Sequence, residues 1–353
     1  MRFALTEEQS DLVATVHTLI AKRAASMDLR AAIATPEGYD TTLWQTLTEQ
    51  IGVTALAVPE AYGGVGCTYL EAHLVLEELG ATLTPSPLIG TVLASEIVQG
   101  VSVGLPTSNG RKLPGLPEPA AQLLTDIAEG TRLVTAATAG LSGARVSASG
   151  DRLTGSIPAV LDAPTADTIL LVVADQLFAL DPTAPGCTVS ATPALDPTLQ
   201  LGEIRLADAQ ATRLGSIDPT YVTTVGATMM TALQAGAARE ALERTVAYLK
   251  ERHQFGRPLG SFQALKHRCA DLLVQVETAR TMSWAAAWEL TQPAPDRRLI
   301  QAAKTWCSDA FSQVAAEMIQ LHGGVAITWE HDAHLYFKRA HATAQLWKDV
   351  HAR

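Results

Sequence analysis

Two stretches of the chain combine residue types able to hold an anion. The first runs Arg252-His253-Gln254-Phe255-Gly256-Arg257-Pro258-Leu259-Gly260-Ser261-Phe262-Gln263, with His267 and Asp271 beyond it. An arginine ending one helix and a glutamine opening the next can converge on one phosphate, the guanidinium giving charge-assisted hydrogen bonds. Taken alone, the string also suits a plainer role, in which Arg252 caps a helix C-terminus and Phe255 plugs the core. The second stretch is Gln320-Leu321-His322-Gly323-Gly324. Its paired glycines either end a helix or let the backbone approach a bound molecule closely. A third string, His331-Asp332-Ala333-His334, lacks the i, i+4 spacing of a helical zinc pair and has no third ligand at clear spacing, so no metal is expected.

These strings need elements to position them, and the chain falls into three blocks. Residues to about 100 read as helical. Thr6 and Gln9 have capping-box spacing ahead of Leu12, Val16, Leu19 and Ile20. A helix is predicted over 41–50 with Gly52 as its cap, and another over 70–79, stopped by Gly80. Pro59-Glu60-Ala61-Tyr62-Gly63-Gly64-Val65-Gly66 reads as a loop between them, and 101–119 reads as linker. Short apolar or alternating runs at 133–138, 169–174, 177–180 and 199–206 predict a small β-domain, with turns at Ser149-Gly150-Asp151 and Asp181-Pro182. From about 221 the pattern is helical again. Phe262, Leu265, Cys269, Leu272, Val276 and Ala279 form one stripe; Ala303, Cys307, Phe311, Val314, Met318 and Leu321 form another. Trp284, Trp288 and Trp306 in these segments read as core or subunit-interface residues. The expected fold class is α+β, mainly α: an N-terminal helical domain with linker (1–120), a middle β-domain (121–215) and a C-terminal helical bundle (216–353).

Composition narrows the function. With 353 residues, 47% hydrophobic and 18% charged, the chain can bury a large core, and disorder as its main state is excluded. A net charge of −10 argues against nucleic acid or an anionic membrane as partner, and the low surface charge suggests an oligomer. Cys67, Cys187, Cys269 and Cys307 are widely spaced with no C-x-x-C pair, which suits reduced thiols in a cytoplasm. The opening Met1-Arg2-Phe3-Ala4-Leu5-Thr6-Glu7-Glu8 turns acidic before a signal-peptide core can form. No apolar string approaches the ~20 residues needed to cross a bilayer.

Taken together, Arg-x-Gln-Phe-Gly-x-Pro-Leu-x-x-Phe-Gln, Gln-x-x-Gly-Gly, the Val58-to-Gly64 loop and the three-block order resemble the acyl-CoA dehydrogenase family over nearly the whole chain. The resemblance implies FAD as cofactor, an acyl-CoA thioester as substrate and an electron-accepting flavoprotein as partner. In that family the two strings come from a neighbouring subunit and hold the FAD pyrophosphate and adenosine. The matching positions are Arg252, Gln254, Phe255, Gln263, Gln320, Gly323 and Gly324.

The departures matter equally. Family enzymes remove an α-proton with a carboxylate while hydride leaves the β-carbon, so a positioned base is required. An ungapped count from Gly323 puts the usual base position at Trp347, no Glu follows Glu330, and Asp349 is off register. The alternative base position falls at about Gly226-Ala227, and 221–239 holds no acidic residue. The Thr-Glu-Pro and Gly-Ser-Asp strings that line the flavin are missing around 135–143, and Ala159-Val160 stands at the Trp-x-Thr-type positions. The C-terminal string His334-Leu335-Tyr336-Phe337-Lys338-Arg339-Ala340 is similar to members in steroid side-chain degradation. The expectation is therefore a non-base-bearing subunit of a heteromeric, two-plus-two enzyme, with no catalytic residue of its own. Two alternatives stay open: a homo-oligomer with an unusual base among Glu240, Glu243 and Asp349, and a non-catalytic structural or acyl-CoA-binding paralogue.

Overall fold

The computed structural model describes residues 4–24, 29–101, 115–138 and 144–347. By internal packing the chain divides into two compact units: residues 30–72 with 85–226, and residues 1–29, 73–84 and 227–353. The helices are α1 (Glu7–Ala24), α2 (Leu29–Ile33), α3 (Thr41–Thr46), α4 (Tyr69–Ala81), α5 (Leu88–Gln99), α6 (Glu118–Ala128), α7 (Pro219–Glu251), α8 (Gln263–Leu290), α9 (Arg297–His322) and α10 (Ala333–Gln345).

In the first unit, Asp40 caps α3 by accepting the Thr42 and Leu43 N–H groups at 3.0 and 3.1 Å. The helix predicted over 41–50 widens beyond Thr46, continuing as a π turn, Leu47–Ile51, that ends at Gly52 with φ +70°. Helix α6 begins inside the stretch read as linker. Its prolines, Pro117 and Pro119, mark a helix start rather than a loop, and Ala120, Leu123, Leu124 and Ile127 form its buried stripe. The strands follow: β1 (Val134–Thr138), β2 (Arg145–Ser149), β3 (Arg152–Leu161), β4 (Thr168–Val173), β5 (Gln176–Leu180), β6 (Cys187–Ala191), β7 (Leu201–Gln210) and β8 (Thr212–Ser216). They make two four-stranded sheets, β1-β4-β5-β8 and β2-β3-β7-β6. Among the described residues only β1 with β4 is parallel, Val134 facing Thr168; β4 is buried on both faces, as its unbroken apolar run requires. Leu153, Ile157, Ile169, Leu171, Phe178 and Ile204 form the core they share.

In the second unit the capping box is formed: Gln9 N–H donates to Thr6 Oγ1 at 3.2 Å, and Thr6 N–H to Gln9 Oε1 at 3.0 Å. Gly80 does not stop α4, which runs to Ala81. A Cβ on Gly80 would lie 2.6 Å from the Leu233 backbone, and one on Gly236 would lie 1.9 Å from the Glu77 carbonyl. The glycines are where α4 and α7 touch, backbone to backbone. The α8 and α9 stripes pack as predicted, with Leu272, Val276, Phe311, Val314 and Met318 in one core with Ala237 and Ala241 of α7 and Tyr336 of α10. Two adjacent buried carboxylates on α4 tie the helices: Glu77 accepts from Arg280 at 3.1 Å and Trp284 at 2.7 Å, and Glu78 from Arg239 at 2.6 Å. Trp288 and Trp306 are instead 38% and 46% exposed, so they are not core residues.

Candidate functional site

After α7, His253–Gln254 (β9) pairs with Arg257–Pro258 (β10), leaving Phe255-Gly256 as a two-residue turn. Both turn residues have positive φ, +54° and +76°, as a type I′ hairpin demands. Phenylalanine is strained there, and its side chain gains no burial for it: Phe255 is 88% exposed. It does not plug the core. Its ring meets Phe262 edge-on at 6.1 Å, and the Arg257 guanidinium lies 4.0 Å from the Phe262 centroid.

Arg252 continues the helical backbone pattern, its N–H donating to the Tyr248 carbonyl at 2.8 Å, while its own carbonyl accepts from Leu259 at 2.8 Å. The guanidinium is exposed and makes no hydrogen bond or ion pair among the described residues, so it does not cap α7. Gln254 and Gln263 are likewise exposed, without side-chain hydrogen bonds among the described residues.

The second string sits at the end of α9. Gly323 is its C-cap with φ +70° and ψ −147°, and a 3-10 turn, Gly323–Ile327, follows. A Cβ on Gly323 or Gly324 would meet nothing within 4 Å, so this backbone is open to approach. Gln320 is exposed beside it. What joins the strings is a pair sequence reasoning missed. The Tyr248 ring stacks on His322 with centroids 4.3 Å apart and 26° between planes, and its O–H donates to the His322 carbonyl at 3.3 Å. Tyr248 is one turn from Arg252 and His322 precedes Gly323, so the hairpin and the Gly-Gly turn share one anchor. An aromatic four residues before Arg252 was the available signal.

His322 Nδ1 lies 2.7 Å from the Met318 carbonyl. Burial, with His331 beside it, lowers the His322 pKa against the opposing pull of that carbonyl. His331 tilts against His322 at 4.7 Å and accepts the Ala333 N–H at Nδ1, while His334 Nε2 lies 3.3 Å from the Trp329 carbonyl. The two histidines considered as a metal pair thus engage different backbone groups.

Both positions at which the sequence comparison looked for a base hold apolar residues. Trp347 is 6% exposed, with φ +56°. Gly226 and Ala227 are buried within α7. Glu240 is engaged by Arg244 at 2.7 Å, Glu243 is exposed, and Asp349 lies outside the described residues. Ala159 and Val160 fall at a bulge in β3, Ala159 with φ +56° and exposed, Val160 buried. Thr135 is spent on the Leu161 carbonyl at 2.6 Å, and 139–143 lies outside the described residues.

The comparisons with known proteins are decisive for the family. The profile described as acyl-CoA dehydrogenase, N-terminal domain, matches residues 6–103, and that of the C-terminal domain matches 220–346. The chain belongs to the acyl-CoA dehydrogenase family. It is similar to acyl-CoA dehydrogenase IpdE2 of Mycobacterium tuberculosis, 39% identical over 345 residues covering 96% of this chain and 93% of that protein. Among solved structures it is similar to the ChsE4-ChsE5 complex of Mycobacterium tuberculosis, with TM-score 0.86 and 28% identity over 97% of this chain and 94% of that one. The Tcur3481-Tcur3483 steroid acyl-CoA dehydrogenase matches with TM-score 0.84 and 29% identity, over 96% and 93%. Butyryl-CoA dehydrogenase of Megasphaera elsdenii, 24% identical with TM-score 0.84, shares the fold. FAD is the family's cofactor, and acyl-CoA dehydrogenases are oxidoreductases acting on CH–CH bonds. Among the described residues no helix is long and apolar enough to cross a membrane.

Proposed function

We propose that this chain is one subunit of a heteromeric acyl-CoA dehydrogenase and lends the pyrophosphate- and adenosine-binding half of the FAD site to a different subunit, which carries the catalytic carboxylate. The observation that carries this is an imbalance within one chain. Arg252, Gln254, Phe255 and Gln263 stand exposed without side-chain hydrogen bonds or ion pairs among the described residues, while Trp347 and Gly226-Ala227 fill the base positions. The donor set fits the group. A guanidinium and three amides, those of Gln254, Gln263 and Gln320, suit a pyrophosphate and a polar nucleoside, and the open backbone at Gly323-Gly324 permits close contact. Bound FAD supplies the acceptor for hydride leaving the substrate β-carbon. This chain's residues grip and orient; they move no proton.

The division of labour follows the three blocks, 1–120, 121–215 and 216–353, with the last supplying Arg252 to Gly324. The assembly is a two-plus-two tetramer acting in the cytoplasm, reoxidised by an electron-accepting flavoprotein. Its substrate is a bulky steroid-type acyl-CoA, a reading supported by the Tcur3481-Tcur3483 steroid enzyme among its structural relatives.

The test is the FAD-to-chain ratio of the protein purified alone and co-expressed with candidate partner subunits. Alone it should hold little FAD and oxidise no acyl-CoA; with its partner it should yield a flavin-loaded, active heteromer. A yellow homo-oligomer that reduces a ferrocenium-type acceptor with acyl-CoA would overturn the reading and point to Glu243 or Asp349 as base.

A further inference from the structure

We infer that the Tyr248–His322–His331 stack is the positioning element that holds the Gly323-Gly324 turn beside the Arg252 hairpin, and that its two imidazoles make this hold sensitive to protons. The inference rests on the half-site reading above and adds to it a regulation that the flavin contacts alone do not contain.

The geometry fixes both tautomers. A carbonyl only accepts, so His322 must carry hydrogen on Nδ1 to bond Met318 at 2.7 Å, which leaves Nε2 bare in the neutral ring. A backbone N–H only donates, so His331 must be bare at Nδ1 to receive Ala333 at 3.1 Å. That second bond satisfies an amide at the first residue of α10, a position with no partner inside the helix. Protonating His331 removes the acceptor and places a cation at a helix N-terminus, where the macrodipole opposes it. Protonating His322 sets a second cation 4.7 Å away, centroid to centroid. The stack is therefore built for two neutral rings.

Charged groups surround the pair. From α7, Tyr248 faces His322, and Arg244 one turn earlier is bonded to Glu240 at 2.7 Å and to Asp332 at 3.0 Å. Glu330 and Asp332 flank His331 in sequence, and Arg244 engages Asp332. From α10, Tyr336 lies under the Arg244 guanidinium, 5.5 Å from its centroid. The turn Gly323–Ile327 brings no charge. Loss of the stack would free the His322 carbonyl from Tyr248 and release Gly323-Gly324 from the end of α7. Arg252 and the open glycine backbone would then no longer face one ligand together.

The experiment follows FAD release from the flavin-loaded assembly between pH 8 and pH 5 by flavin fluorescence. Wild type should release FAD as pH falls through the histidine range. The double variant His322→Phe, His331→Asn keeps the stack on Tyr248 and a neutral acceptor for Ala333 but cannot titrate. Its release should move at least one pH unit lower. Superimposable profiles would overturn the inference. At pH 8, Tyr248→Ala should speed FAD release about tenfold and Tyr248→Phe less, since the latter keeps the ring; equal rates for all three would remove Tyr248 from the hold. A separate readout needs no flavin. Nitrogen chemical shifts of labelled histidine in the full chain should show His322 as the Nδ1–H form and His331 as the Nε2–H form. The opposite tautomers would overturn the stack itself. If no partner yields a flavin-loaded assembly, the half-site reading fails, and the histidine spectra still decide the tautomers.

Discussion

Replacing Arg252 with alanine separates the binding role from the helix-capping role by its effect on two independent quantities. The chain itself should scarcely notice. The guanidinium is exposed and makes no hydrogen bond or ion pair among the described residues, and both backbone groups of Arg252 bond through atoms that alanine retains. A surface change of this kind costs within about 0.5 kcal/mol, a melting shift of about 2 °C or less in a chain this large. The flavin-loaded assembly should notice strongly. A hydrogen bond to a charged group contributes about 1.5–3 kcal/mol, so FAD affinity should drop roughly ten- to a hundredfold. Arg252→Lys keeps the charge but loses the planar fork, and should fall between the two. The assay is FAD titration of the apo-assembly by fluorescence quenching, beside thermal melting of the lone chain. Unchanged FAD affinity with a melting temperature lowered by several degrees would refute the reasoning and return Arg252 to a helix-capping role.

Three further outcomes test the fold and the missing base. Glu96 is buried and accepts a hydrogen bond from Tyr221 O–H at 3.4 Å, and burial raises its pKa to about 7. The carboxyl therefore holds its proton in the folded unit at pH values where the unfolded chain has lost it, so stability falls as pH rises from about 4.5 to 7 and stays lowered above. Glu96→Gln should raise the melting temperature at pH 8 and leave it unchanged at pH 4.5 by calorimetry, the gain at pH 8 being about 3 kcal/mol at most; an equal gain at both pH values would refute it. Gly236→Ala places a methyl 1.9 Å from the Glu77 carbonyl of α4, so instead of the usual helix gain it should cost about 1–3 kcal/mol by denaturant titration. Trp347→Glu puts a carboxylate into a site only 6% exposed, so it should destabilise the chain by about 3 kcal/mol or more and create no acyl-CoA-dependent flavin bleaching in the lone chain with added FAD; turnover there would show a complete site.

What the sequence showed and what it hid follow from the range of the forces involved. The Thr6–Gln9 capping box and the α8 and α9 stripes were legible because cap chemistry and the 3.6-residue period are local. Gly80 was misjudged because a helix-stopping glycine and one that admits a neighbouring helix look alike until Leu233 is in place. Helix α6 was hidden by its prolines, which signal a loop unless the apolar stripe behind them is counted. The residues proposed to hold FAD were legible as strings, yet nothing along the chain said that Tyr248 would join them, since that contact spans 74 positions.

The Phe255 turn bears most directly on the proposed division of the FAD site between subunits. A two-residue hairpin with positive φ at both positions favours Asn-Gly, and a non-glycine residue in the left-handed region costs about 1–2 kcal/mol. Here the first position is a phenylalanine, 88% exposed, whose ring meets Phe262 edge-on. Neither local preference nor burial accounts for that choice, and a large exposed apolar ring adds a risk of non-specific association. Trp347 shows the reverse pattern, a large ring buried at a position where the sequence reading looked for a carboxylate. A chain drifting away from flavin altogether has reason to relax the hairpin and none to keep it. A chain serving a neighbour's flavin has reason to keep the hairpin and fill its own pocket. The strain at Phe255 and the burial of Trp347 point the same way, toward a site completed by another subunit.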